Sequence, residues 1–133
     1  MYLLDTNVLS ALRRPERAPR VAGWLRSKPE DQLFLSVVTL GEIERGTALQ
    51  DNRNPDFAAD LRGWVDRTML LFSDRLLTFG AEEARVWGQL SARLGHNGAD
   101  LLIAATALAR GAVVVTGNVS DFEPTGVEIE NPF

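Results

Sequence analysis

The chain opens on an unbroken apolar run, Met1-Tyr2-Leu3-Leu4, and turns polar at Asp5-Thr6-Asn7. A run that short, bounded by polar residues, reads as a buried strand rather than a helix. The same pattern recurs at Leu33-Phe34-Leu35-Ser36 and, more briefly, at Arg75-Leu76-Leu77. Val113-Val114-Val115 is β-branched without alternation, which marks a parallel strand covered on both faces. Val127-Glu128-Ile129 alternates, as an edge strand does.

Between these runs the apolar positions return at helical spacing. Thr6 to about Arg13 predicts a short helix that Thr6 or Asn7 could cap with a side-chain oxygen. Pro19 suits the first turn of a second helix, which carries Val21, Trp24 and Leu25 and ends before Pro29. Thr39 is placed to cap a third helix running to about Leu49. Pro55 opens a longer one to about Phe72, with Phe57, Leu61, Trp64, Val65 and Thr68 on one side. Ala81 to Leu94 and Ala99 to Arg110 are two more. The last is apolar on nearly every side, so it belongs in the interior, and Gly111 is its C-cap. Strands alternating with helices predict a three-layer α/β/α sandwich around a small, mostly parallel sheet of four to five strands. The 133 residues suffice for one domain with a real core.

Composition narrows the classes. Without cysteine there are no disulfides and no thiolate metal sites. The N-terminus has no signal-peptide pattern and no run is long enough to span a membrane, which leads us to expect a cytoplasmic protein. A net charge of −4 speaks against a general nucleic-acid coat. The basic residues are nevertheless concentrated: Arg13, Arg14, Arg17, Arg20, Arg26 and Lys28 lie together, opposed within that stretch only by Glu16. Such a cluster is most often a solvated face, although arginine also makes forked contacts with phosphate.

Four acids sit at the ends of predicted elements, where packing does not ask for them. Asp5 ends the first strand. Glu42 and Asp100 fall in early helical turns. Asp121 follows the Val113–Val115 strand in a loop. Singly, Glu42 and Asp100 read as residues placed for the helix dipole and Asp121 as a turn residue. In a parallel sandwich all four would project toward one rim of the sheet, where ligands of such sheets bind. Arg45 is the nearest cation in sequence. Clustered carboxylates repel unless protonated or joined by a cation, and an all-oxygen set suits Mg²⁺ or Mn²⁺. An ion of that kind supports phosphodiester hydrolysis. A dinucleotide binder would need a glycine-rich turn after the first strand, and neither that nor a P-loop is present. A phospho-acceptor domain would want a late lysine, and none follows Lys28.

The segments Leu4-Asp5-Thr6-Asn7-Val8-Leu9, Ser36 to Gly46, Asp100 to Ala107 and Thr116-Gly117-Asn118-Val119-Ser120-Asp121-Phe122, in this order, closely resemble the PIN-domain family, and within it the VapC-type toxins of bacterial toxin–antitoxin pairs. The resemblance extends over residues 1–133, a single PIN-like domain. It implies a Mg²⁺- or Mn²⁺-dependent endoribonuclease that blocks translation by cutting tRNA or mRNA. Asp5, Glu42, Asp100 and Asp121 match the family's metal-holding and catalytic acids. Thr6, Asn7 and Thr116 match positions that orient them, and Asn118 matches a supporting polar position. The resemblance also implies a homodimer, joined by an antitoxin into a heterotetramer or larger assembly. Against that background Arg13, Arg14, Arg17 and Arg20 are candidates to contact RNA phosphates or antitoxin acids. Two positions depart from the pattern: Gly117 stands where an arginine is common, and Asn118 where many relatives have Asp. The first leaves room for a non-catalytic RNA- or protein-binding relative.

Overall fold

The computed structural model describes residues 1–133. Strand β1 (Tyr2–Leu4) leads into α1 (Thr6–Leu12), a 3-10 turn at Pro15–Arg17 and α2 (Pro19–Arg26). Strand β2 (Leu33–Ser36) leads into α3 (Val37–Gln50) and α4 (Pro55–Leu71), then β3 (Leu76–Leu77) and α5 (Ala81–Leu94). Helix α6 (Ala99–Arg110), β4 (Val113–Val115), α7 (Val119–Phe122), a 3-10 turn at Glu123–Thr125 and β5 (Ile129–Glu130) complete the chain.

The five strands form one sheet in the order β3-β2-β1-β4-β5, and every pair is parallel. The chain therefore builds outward from β1 in one direction through β2 and β3, and in the other through β4 and β5. The order reverses between β1 and β4, the place where a crevice opens outside the strand ends. Successive side chains on a strand face opposite ways, and the core divides accordingly. Leu4, Leu33, Leu35 and Val115 pack with α1, α2, α3 and α4. Leu3, Val114 and Phe34 pack with α5 and α6 through Leu90, Ile103, Ala104 and Ala107. That is the three-layer sandwich, with the helix expected to be central pressed flat on the sheet. Its alanines let α5 pack closely over it. Arg110, near the end of α6, donates to Glu83 Oε1 at 2.9 and 3.1 Å and ties it to the start of α5.

Four expectations need correction. The first helix is capped neither by Thr6 nor by Asn7: Asp5 is extended and its own carboxylate takes the Thr6 N–H. The third helix begins at Val37 with Ser36 as its cap, so Thr39 is inside it and fully buried. Asp121 and Phe122 lie in α7, a single helical turn, rather than in a loop. The edge strand is Ile129–Glu130, displaced toward the C-terminus from Val127–Ile129, because its ladder is set by Val114 and Val115.

Candidate active site

Asp5 and Thr116 stand at the carboxyl ends of β1 and β4, on either side of the point where strand order reverses. Asp5 is held from three directions. Its backbone N–H continues the sheet to Val115 O at 2.9 Å. Oδ1 accepts the Thr6 N–H at 2.8 Å, and Oδ2 accepts the Thr116 hydroxyl at 2.7 Å. Only 3% of Asp5 is exposed. Burial pushes its carboxyl above the usual range; the Thr116 and Thr6 hydrogen bonds pull against that, and the charge of Asp121 adds to it.

Thr116 is itself buried and fully engaged. Its Oγ1 accepts the Asn118 N–H at 2.9 Å and lies 3.4 Å from Asn7 Nδ2. Asn7 Oδ1 in turn accepts the Gly117 N–H at 3.4 Å. Asn118 thus joins the site through its main chain. On the other flank Thr6 donates to Glu42 Oε1 at 2.8 Å, and its hydroxyl lies 3.4 Å from that of buried Thr39. Thr39, read from the sequence only as a cap, is therefore a support for this side of the site. Thr116→Val should lower stability by about 1–3 kcal/mol, since it strips a buried carboxylate and a backbone N–H of one partner. Thr116→Ser should restore most of it in urea denaturation.

Asp100, in the first turn of α6, is half-buried. Its carboxyl is pushed up to about 6, by burial first and then by the charges of Asp5, Asp121 and Glu42 and a hydrogen bond with Asp121. The charges of Asp5, Asp121 and Glu42 thus all reach the Asp100 carboxyl. None of the four forms an ion pair; the salt bridges of the chain involve Arg62, Arg75 and Arg110 elsewhere. Arg45 is exposed and pairs with none of them. No three of the carboxylates approach closely enough, in the observed rotamers, to enclose an ion among them. A hard ion such as Mg²⁺ binds through one or two carboxylates and keeps several waters. The spread, oxygen-only set fits that habit, and a cation there would relieve the repulsion that the other acids exert on Asp100.

The arginine cluster is divided by the fold. Arg13 lies with its guanidinium 4.8 Å from the centre of the Phe57 ring. It faces a cleft of about 300 Å³ that Thr6 and Glu42 share with Trp64. Phe57, Ile43 and Trp64 therefore share a cleft with Glu42, although the sequence marks them only as core positions. Arg17 and Arg20 line a second hollow beside Phe133. Arg14 is exposed and enters neither hollow. His96 is exposed in its turn, where Nδ1 lies 3.4 Å from the Gly98 nitrogen.

Comparison with known proteins places this arrangement. The chain is 34% identical over 140 residues to the VapC ribonuclease Y4jK of Sinorhizobium fredii, covering 100% of this chain and 98% of the relative. It is 33% identical over 139 residues to the toxin FitB of Neisseria gonorrhoeae, covering 100% and 99%. The crystal structure of FitAcB from Neisseria gonorrhoeae superposes with a TM-score of 0.86 at 33% identity, covering 99% of this chain and 98% of that one. The PIN domain matches residues 2–123, which run from the first residue of β1 through the turn carrying Asp121. By its sheet order, its full-length relatives and that match, the chain belongs to the PIN domain family.

Proposed function

We propose that the chain is a divalent-metal-dependent endoribonuclease, the toxin of a toxin–antitoxin pair, acting in the cytoplasm on tRNA or mRNA. The observation that carries this reading is the meeting of four acids, one of them pushed up to about 6, with no basic side chain in an ion pair with any of them. Relatives named as a ribonuclease and a toxin, alike over the full chain, support it. Asp5, Asp100, Glu42 and Asp121 would hold Mg²⁺ or Mn²⁺. When bound, the ion supplies a Lewis acid for the phosphoryl oxygen.

The chain's own residues do the rest. Thr116 and Thr6 fix the Asp5 and Glu42 carboxylates, so that neither has to be ordered during the reaction. Asp100 holds an ion only once it is ionised, so ion binding strengthens as pH rises through about 6. Arg13 stands at the mouth of the cleft beside Glu42, placed to take a substrate phosphate. We further propose a homodimer that a cognate antitoxin binds and inhibits, as the resemblance implies.

Defined tRNAs and mRNAs incubated with the protein should be cut in Mg²⁺ or Mn²⁺ and stay intact in EDTA. Full cleavage in EDTA would exclude the metal-dependent mechanism. RNA binding without cleavage in any divalent ion would assign the chain to the non-catalytic class.

A further inference from the structure

Gly117 lies between Thr116, which holds Asp5, and Asn118, which holds Thr116. Nothing about its backbone demands glycine, since its φ is not positive. Space does. A Cβ there would stand 2.9 and 3.1 Å from two carbons of the Phe133 ring. Glycine is what lets that ring lie against the backbone of the acid site. Phe133 is nonetheless 44% exposed, so one part of the ring is spent on Gly117 and another is open.

The open side borders a hollow of about 280 Å³ lined by Arg17, Ala18, Pro19, Arg20 and Val21. That volume is at the small end of ligand pockets. Its chemistry is an aromatic wall, a short apolar floor and two guanidinium groups. Neither Arg17 nor Arg20 has a carboxylate partner. An aromatic ring offers any base a stacking surface, and free guanidiniums take phosphate oxygens. Only an unpaired base presents its face for stacking, so a duplex does not fit.

We propose that Phe133, Arg17 and Arg20 form a subsite for one unpaired nucleotide of the substrate, its base on the Phe133 ring and its phosphate on the arginines, immediately beside the acid cluster. The assignment rests on the ribonuclease reading for its place in catalysis, but not for its binding. Gly117 is the residue that admits the ring, and a larger residue at 117 closes the subsite.

The test uses the full chain in EDTA and a single-stranded RNA hexamer carrying 2-aminopurine, whose fluorescence is quenched on stacking. The wild type should bind and quench. Phe133→Leu should weaken binding about tenfold and abolish the quench, whereas Phe133→Trp retains both. Gly117→Ala should resemble Phe133→Leu. Arg17→Ala/Arg20→Ala should weaken binding and lower the slope of log affinity against log salt by about 2. This pair of changes is on the surface and keeps the proposal open to refutation if Phe133→Leu fails to fold. In Mn²⁺ the KM for a cleaved RNA should rise in Phe133→Leu with kcat little changed. Wild-type affinity and quench in Phe133→Leu would overturn the subsite. So would a ten-residue polyglutamate that binds as tightly as the RNA, since it would assign the hollow to an acidic protein segment. Cleavage by the wild type with Phe133-independent binding sinks the subsite alone. Phe133-dependent binding with no cleavage in any metal sinks the ribonuclease reading alone.

Discussion

Asp100→Asn should abolish RNA cleavage and, in the same protein, raise the melting temperature of the metal-free chain at pH 8. The two effects have one origin. In the native fold burial, and then the charges of three other acids, push the Asp100 carboxyl from 3.8 up to about 6. Between those values the folded chain binds a proton that the unfolded chain releases. Stability therefore falls as pH rises across that window, and the loss is complete above about 6. Asparagine has the same shape and no charge, so it removes the penalty. On the proposed function it also removes a metal ligand, and losing several kcal/mol of transition-state charge stabilisation slows cleavage by about 10²–10³-fold or more. Melting curves at pH 4, 6 and 8 in EDTA should show the wild type losing ground to Asp100→Asn as pH rises. Adding Mn²⁺ at pH 8 should restore the wild type and leave the variant unmoved. A variant that melts lower than wild type at pH 8 while cutting RNA normally would refute the account.

The reason this site could be foreseen at all lies in the parallel sheet. Once Tyr2–Leu4, Leu33–Ser36 and Val113–Val115 are strands of one parallel sheet, their carboxyl ends share a rim, and acids just beyond them must be neighbours. Helix ends were legible where glycine closes them. Gly95 and Gly111 adopt φ of 77° and 67°, and α5 and α6 end at the residues before them. Helix starts were less so, because several polar residues in a row can each cap. Asp5 and Ser36 win over Thr6 and Thr39 by ending their strands in extended backbone. The two-residue edge strand was misplaced because β5 takes its register from β4 and not from its own alternation. What no local pattern carries is the lateral neighbourhood: Thr39 beside Thr6, Trp64 beside Glu42, Phe133 on Gly117. Each joins segments far apart in the chain. Gly117 did leave a trace, as a small residue where the family resemblance leads one to expect an arginine, but the ring that packs on it is sixteen residues away.

Arg75 shows the same blindness on the stability side, and its removal should have the largest effect of any single change outside the site. The sequence presents it as the first residue of a short strand. In the fold it is 7% exposed and its guanidinium closes three main-chain acceptors. Nη1 donates to Leu33 O at 2.9 Å and Glu30 O at 2.6 Å, and Nη2 donates to Leu71 O at 2.8 Å. The group also lies 4.6 Å from the centre of the Phe72 ring. Its pairs with Glu30 and Asp74 matter less, because those carboxylates are 70% and 80% exposed. The guanidinium thus joins the entry of β2 to the end of α4, where β3 offers only two residues of ladder. Arg75→Met keeps the aliphatic bulk and removes every donor. About 1 kcal/mol for each of three carbonyls gives a loss of about 3 kcal/mol, or about 10 °C in melting temperature for a chain of this size. Because Arg75 lies at the opposite ends of the strands from Asp5 and Thr116, the variant should cleave RNA at the wild-type rate at 20 °C. A melting temperature within about 2 °C of wild type would mean that water replaces the guanidinium at all three carbonyls. Loss of cleavage with the fold intact would mean that the two rims of the sheet are coupled.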